Sequence, residues 1–291
     1  MFARYLLAIA AMAFLLLPGH GLAQEAEGIR KAQVLQQAVE AMQKVLLSGP
    51  SVVTLDNRAT LNLPQGTGFV RQPEAGAWAS ASDYPSDPGV LGMLVPTSEQ
   101  NWVVFIHYRS GVRIDDAEAT GWNADDLLAR LKANTEEGNA AREKRGEPQL
   151  EVRDWLVRPH YDEAQNTLIW GAISPEKGGE ADEGTANIHG YALGNEGYFE
   201  LTLVSPAAEV PSYVPIARSF LAGLQFTAGN RYQDAAKEKL EVRPVTSLIA
   251  PTSPDLRATA LAYLKANWLW LVAVLLVLAI LAVSALRALR R

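Results

Sequence analysis

Apolar and polar positions alternate along short runs of this chain and recur at helical spacing along others. Trp102-Val103-Val104-Phe105-Ile106-His107-Tyr108 is the densest run: β-branched and aromatic, without a breaker, and apolar on both faces as far as Ile106. That composition predicts a central strand covered on both sides. Ser110-Gly111 then leads through Val112-Arg113-Ile114 to Asp115-Asp116. At Asn123 the period changes. Asn123 is placed to cap a helix, Asp125 and Asp126 suit the positive end of its dipole, and Leu127, Leu128 and Leu131 share a stripe. Gly146 and Pro148 stop it. The stripe fades halfway, so Glu136 to Arg145 is expected to be a solvated face or to bind a partner.

The same reading covers the rest of the chain. Residues 25–47 carry apolar side chains near helical spacing and predict an amphipathic helix docked on its own domain. Residues 51–55 and 59–63 flank Asp56-Asn57-Arg58 and predict a hairpin, with short strands at 67–70 and 90–95. Between those strands, 71–88 reads as a loop rich in Pro, Gly, Ala and Ser, pinned by Trp78 and Tyr84. Residues 152–157 and 167–173 predict strands joined by a polar turn, and 185–193 and 197–204 a second hairpin about Gly194-Asn195-Glu196. After a proline-marked loop, 214–224 puts Ile216, Phe220, Leu221 and Leu224 on one helical face. Residues 235–267, with Pro244, Pro251 and Pro254, read as a linker. Successive hairpins with covering helices predict an α+β fold: an antiparallel sheet with packed helices, an α/β/α sandwich being one such arrangement.

Both ends carry topogenic patterns. Residues 1–23 have a basic start at Arg4, an apolar run and small residues at a cleavage site, and predict a secretory signal. The alternative is an uncleaved anchor. Residues 268–286 form a 19-residue stretch without charge, glycine or proline, long enough to cross a bilayer as a helix. Tyr263, Trp268 and Trp270 mark its start, and Arg287, Arg290 and Arg291 follow its end. That order places the tail, 287–291, in the cytoplasm and the domain, 24–234, outside it, at a bacterial inner membrane. The expected partners are the lipid bilayer, through this helix, and a protein of the envelope.

Charge sharpens this picture. Setting aside Arg4 and the three tail arginines leaves 22 basic against 32 acidic residues, so 24–267 carries −10. A domain that acidic is repelled by nucleic acid and by anionic lipid. Cysteine is absent, which removes disulfides, thiol nucleophiles and thiolate metal sites.

Candidate chemistry is sparse. Asp115, Asp116 and Glu118 could hold a hard cation, but their spacing is not that of a calcium loop, and a solvated turn is the commoner fate. His107, His160 and His189 are isolated in sequence, and a zinc site would require the fold to bring them together. No nucleophile elbow, phosphate loop or dinucleotide fingerprint occurs, and no cofactor is implied. Trp102, Trp122, Trp155 and Trp170 could form a stacking surface for sugar or peptide, against core packing as the usual role. The sequence leans away from an enzyme and towards a binding or assembly module. The alternative is an extracytoplasmic hydrolase, or a cation or small-ligand binder, using acids and histidines.

A longer pattern runs through the centre of the chain: Asp116, Asp125, Leu127-Leu128, Leu131-Lys132, Thr135-Glu136, Asn139, Arg142, Gly146, Trp155, Pro159, Tyr161-Asp162, Leu168 and Trp170, then Gly229 to Asp234. It resembles bacterial membrane-anchored proteins grouped as domain-of-unknown-function family 2167. Gly171 stands where that pattern has alanine, and Ala235 where it has an aromatic residue. The resemblance implies a membrane-anchored protein and supplies no catalytic residues. The closing order, two hairpins and then a helix, is similar to the Mog1/PsbP-like sandwich.

Overall fold

The computed structural model describes residues 22–82, 89–234, 236 and 240–251. Helix α1 (Leu22–Val45) is followed by β1 (Leu47–Ser48), β2 (Ser51–Leu55), β3 (Ala59–Leu63) and β4 (Thr67–Arg71). Next come α2 (Glu74–Ala81), β5 (Val90–Pro96), β6 (Val103–Ser110), β7 (Val112–Asp115) and α3 (Ala124–Lys144). The chain continues through β8 (Asp154–Asp162), β9 (Thr167–Ile173), β10 (Thr185–Leu193) and β11 (Gly197–Pro206). It closes with α4 (Val214–Gly223), β12 (Leu224–Phe226) and β13 (Glu241–Pro244).

Eight strands make one antiparallel sheet in the order β1-β4-β5-β6-β11-β10-β9-β8. The uninterrupted apolar run does become an interior strand: β6 lies between β5 and β11, with Phe105 and Ile106 fully buried on opposite faces. Burying each such side chain contributes on the order of 2 kcal/mol. One face of the sheet sends Leu94, Val104, Ile106 and Leu201 against a small sheet, β12-β3-β2, and Phe220 of α4. The other face carries two separate covers. Val39 and Met42 of α1 and Trp78 of α2 close over Val70, Met93 and Phe105. Leu127 of α3, Ile114 of β7, Val245 and Ile249 close over Trp155, Leu168, Trp170 and Tyr191. The fold is α+β, with helices on both faces of the large sheet, joined by the β12-β3-β2 sheet on one face and by β7 and the C-terminal segment on the other.

Several expectations need correction. Residues 74–81, expected within a loop, form α2, because Glu-Ala-Gly-Ala-Trp-Ala-Ser-Ala is alanine-rich and helix-forming. Trp78 does pin this segment, at 3% exposure; Tyr84 lies outside the described residues. Strand β8 runs on through Arg158-Pro159-His160-Tyr161-Asp162, expected to be a turn. Proline is tolerated there because β8 is the outermost strand and its register shifts between Val157 and His160. The turn itself is shorter, with Asn166 at φ 51°. Strand β12, unexpected, extends the small sheet by pairing Leu224 with Leu61.

Helix α1 docks through Leu35, Ala38, Val39 and Met42, while Ile29 and Val34 stay exposed. In α3, Asn123 caps as expected, its Oδ1 accepting from the Asp125 N–H at 2.9 Å. The second half is not merely solvated. Asn139 is 2% exposed; its Nδ2 donates to the Leu150 carbonyl and its Oδ1 accepts from the Leu150 N–H, both at 2.9 Å. Glu136 meets Lys177 at 2.9 Å beside it. Polar bonds, not apolar packing, hold that half down.

The described part of the stretch expected to be a linker is built into the domain. β13 pairs with β7 in parallel, the one departure from antiparallel pairing among the described strands. The 3-10 turn after it, Val245–Leu248, begins a segment in which Val245, Thr246, Ile249 and Ala250 are buried. By internal contacts the chain divides into Met1–Ala250 and Pro251–Arg291. The apolar stretch 268–286 and the signal, apart from Leu22 and Ala23, lie outside the described residues. Among the described residues, no helix is long and apolar enough to cross a membrane.

Gly171 has a physical reason. A Cβ there would sit 2.8 Å from the Asn187 carbonyl oxygen, closer than carbon and backbone oxygen pack. Gly171→Ala is therefore expected to cost about 1–2 kcal/mol, read as a lower urea midpoint at unchanged slope. An unchanged or higher midpoint would show that β9 and β10 have room to part.

Candidate functional site

The acidic turn after β7 is occupied by the fold itself. Asp116 accepts from the Tyr161 hydroxyl at 2.7 Å and the Tyr232 hydroxyl at 2.8 Å, one on each carboxylate oxygen. Tyr232 also reaches the Ile114 carbonyl at 2.9 Å, and the Arg113 guanidinium lies 4.5 Å from its ring centroid. Burial, with Asp116 adding to it, pushes the Tyr161 hydroxyl far above the ordinary tyrosine range and Tyr232 up to about 12. Glu118 accepts from the Thr246 hydroxyl at 2.9 Å, and Asp115 accepts from the Ala117 N–H at 3.2 Å. These carboxylates tie the turn to β8, to the loop after β12 and to the C-terminal segment. Among the described residues, no group of three or more His, Asp or Glu side chains is placed to hold a metal ion.

The fold brings two of the three histidines onto one face. His107 on β6 stands opposite Glu200 on β11, and His189 on β10 stands opposite Thr202 on the same strand. Side chains two apart along a strand share a face, so His107, Glu200, Thr202 and His189 line one surface between the two covers. His160 is not with them: it is exposed on β8, paired with Ile169. Glu200 is 20% exposed, 3.6 Å from the Arg109 guanidinium, and accepts a long bond from the Tyr191 hydroxyl at 3.4 Å. Tyr191 is held un-ionised by burial first and then by Glu200.

His189 stacks on Trp170, with ring centroids 4.5 Å apart and planes 25° from parallel. Although the residue keeps some surface, its Nδ1 is buried without a hydrogen-bond partner, and burial pushes its pKa down to about 4. The imidazole is neutral at ordinary pH.

The tryptophans do not form an open platform. Trp102, Trp155 and Trp170 are 1%, 8% and 8% exposed. Trp155 meets Trp170 edge-on at 6.1 Å; their indole N–H groups donate to the Ala124 carbonyl at 3.2 Å and the Leu248 carbonyl at 3.1 Å. Both indoles hold the covers of the sheet in place. Glu200 and Thr202 escape a motif search because each is a single polar residue in a strand. Their signal is the alternation in Tyr198-Phe199-Glu200-Leu201-Thr202-Leu203, where two polar positions fall together on one face.

The positions of the central sequence pattern thus meet in space as one framework: Asp116 with Tyr161 and Tyr232, Asn139 with Leu150, Trp155 with α3, and Trp170 with the C-terminal segment. A sequence profile described as "Protein of unknown function (DUF2167)" matches residues 48–284. The chain belongs to this family. No curated protein matches it. Among solved structures, this DUF2167 protein is similar to cyanobacterial PsbP (CyanoP) from Synechocystis sp. PCC 6803, at 10% identity and a TM-score of 0.38. That alignment covers 62% of this chain and 91% of the cyanobacterial one. It also matches PA94 of Pseudomonas aeruginosa, a protein of unknown function, at 13% identity and a TM-score of 0.24, covering 58% of this chain and 90% of the other.

Proposed function

We propose that this DUF2167 protein is a non-enzymatic binding or assembly module of the bacterial envelope, its domain held outside the cytoplasm by one C-terminal membrane-spanning helix. The observation that carries the reading is the uncharged stretch 268–286, with arginines at 287, 290 and 291 behind it. The family profile extends to residue 284 and so takes in most of that stretch. A binding role is supported by where the polar side chains go. Asp116, Asn139, Trp155 and Trp170 are each engaged in holding one segment to another. The net charge of −10 over 24–267 favours a partner with a basic surface. A hydrolase or small-ligand site is the second reading, favoured by His107, Glu200, Thr202 and His189 sharing one face.

The absence of cysteine makes the topology directly testable. Cysteine introduced at exposed Ser219 should react with an impermeant maleimide once the outer membrane is opened. Cysteine replacing Ala288 should react only after lysis. The reverse pattern, or recovery of the mature chain from the soluble fraction, would refute the proposal.

A further inference from the structure

The segment 240–251 is the last of the described residues, and it docks on a titratable spot. It approaches the sheet as β13, whose four residues are exposed and paired only with β7. It then buries Val245, Thr246, Ile249 and Ala250, with Val245 and Ile249 in the cluster that holds Trp170. Trp170 is clasped from both sides: its indole N–H donates to the Leu248 carbonyl at 3.1 Å, and its ring lies on His189. The imidazole therefore forms the base on which the strap is seated.

We propose that residues 240–250 form a pH-released strap: protonation of His189 beneath Trp170 breaks the indole's hold on Leu248 and frees the segment from the sheet. Solvation of the charged ring drives the release. A charged imidazolium needs both N–H groups hydrated or bonded, and here Nδ1 is buried with nothing to donate to. Trp170 lies over the ring, so hydration requires the indole to move, and its N–H cannot then stay on Leu248.

Every ionisable group near the ring bears on this. On the same sheet face stand Tyr191 on β10, Tyr198 and Glu200 on β11, and His107 and Arg109 on β6. Glu200, the carboxylate among them, is paired with Arg109 and also accepts from Tyr191. The neighbours across the sheet and under the covers, Thr202, Trp170 and Trp155, are uncharged. From α3 come Leu127 and Leu128, while Asp125 is turned to solvent and pairs with Arg158 at 2.8 Å. The strap carries Glu241 and Arg243, paired with each other at 2.8 Å, with Arg243 also acting on Tyr198, and no ionisable side chain between Pro244 and Ala250; Thr246 donates to Glu118 of the turn after β7.

The sign follows from where the proton is held. With the closed-state pKa near 4 and the ordinary value at 6.5, the open state holds more protons between those limits. The strap is thus fully held above pH 6.5, loosens as pH falls through that window and changes no further below about 4. Attraction between the imidazolium and the indole face works against release, while the buried, unbonded Nδ1 works for it.

The test uses the full chain in detergent micelles and hydrogen exchange read by mass spectrometry at pH 7 and pH 4.5, corrected for intrinsic rates. Protection of 240–250 should fall about tenfold or more at the lower pH, with the β2–β3 hairpin unchanged. His189→Phe, which keeps a ring beneath Trp170 and cannot charge, should hold the strap at both values. The His189 proton resonances of the unaltered chain give a second readout independent of any variant: their titration midpoint should coincide with strap release. Protection that ignores pH, equal loss in His189→Phe, or a midpoint well away from the release would each overturn the proposal.

Discussion

Asn139→Ala is expected to lower stability by about 2–3 kcal/mol, a large effect for a side chain in a run that otherwise reads as solvated helix surface. The amide imitates a strand neighbour, presenting one acceptor and one donor to the N–H and C=O of Leu150. At 2% exposure, no water takes its place when it is cut back. Two backbone groups would lose their partners at once, and each such loss costs more than a hydrogen bond contributes when made. In a domain of this size the melting temperature should drop by about 5–10 °C. Lys177→Ala, which removes only the exposed pair with Glu136, should move it very little. Equal shifts in the two variants would mean that α3 is not held through Asn139.

Asp116→Ala is the second large effect, at about 2–3 kcal/mol. Its carboxylate receives two hydroxyls at 2.7 and 2.8 Å, charge-assisted bonds that join β8 and the loop after β12 to one turn. Asp116→Asn keeps one acceptor and should cost about half as much. A double-mutant cycle with Tyr161→Phe isolates the bond: the two losses should overlap by about 1 kcal/mol or more. Strict additivity would show that the pair contributes nothing to folding. Phenolate titration gives an independent check, because Tyr232, pushed up to about 12 by burial and by Asp116, should ionise earlier in Asp116→Asn.

What the sequence disclosed follows from how each segment is stabilised. β6 and the β10–β11 hairpin were legible because their apolar and turn residues state the same answer locally and globally. α2 was hidden by its composition: alanine stands on its buried and its open sides alike, so the buried face of Ala75, Trp78 and Ala79 does not stand out in sequence. The second half of β8 was hidden by composition: Arg158, His160 and Asp162 alternate with buried Pro159 and half-buried Tyr161, and a proline among polar residues reads as a turn. The strap looked like a linker because its prolines and charges are real, while its burial depends on a groove built by distant residues, Trp170 and Glu118 among them, 78 and 128 positions before their partners.

The candidate site was legible only in pieces. His107 and His189 were visible as isolated residues, but their common face depends on β11 lying between β6 and β10, which no local pattern fixes. Asp116 stood out as a carboxylate and was engaged instead as a structural acceptor. Asn139 carried a usable signal: it lies on the line through Leu128, Leu131 and Thr135, so the core-facing stripe of α3 continues in polar form.

The two rims of the large sheet bear on how the protein behaves when many copies are crowded together. One rim is β1, only two residues long; the other is β8, interrupted by Pro159 and two register shifts and lined outward by Asp154, Arg158 and His160. Neither offers the flat ladder of open backbone groups on which a neighbouring molecule could extend the sheet. Concentrated solutions and partly refolded samples should therefore stay free of fibrous or amyloid-like aggregates growing from these rims.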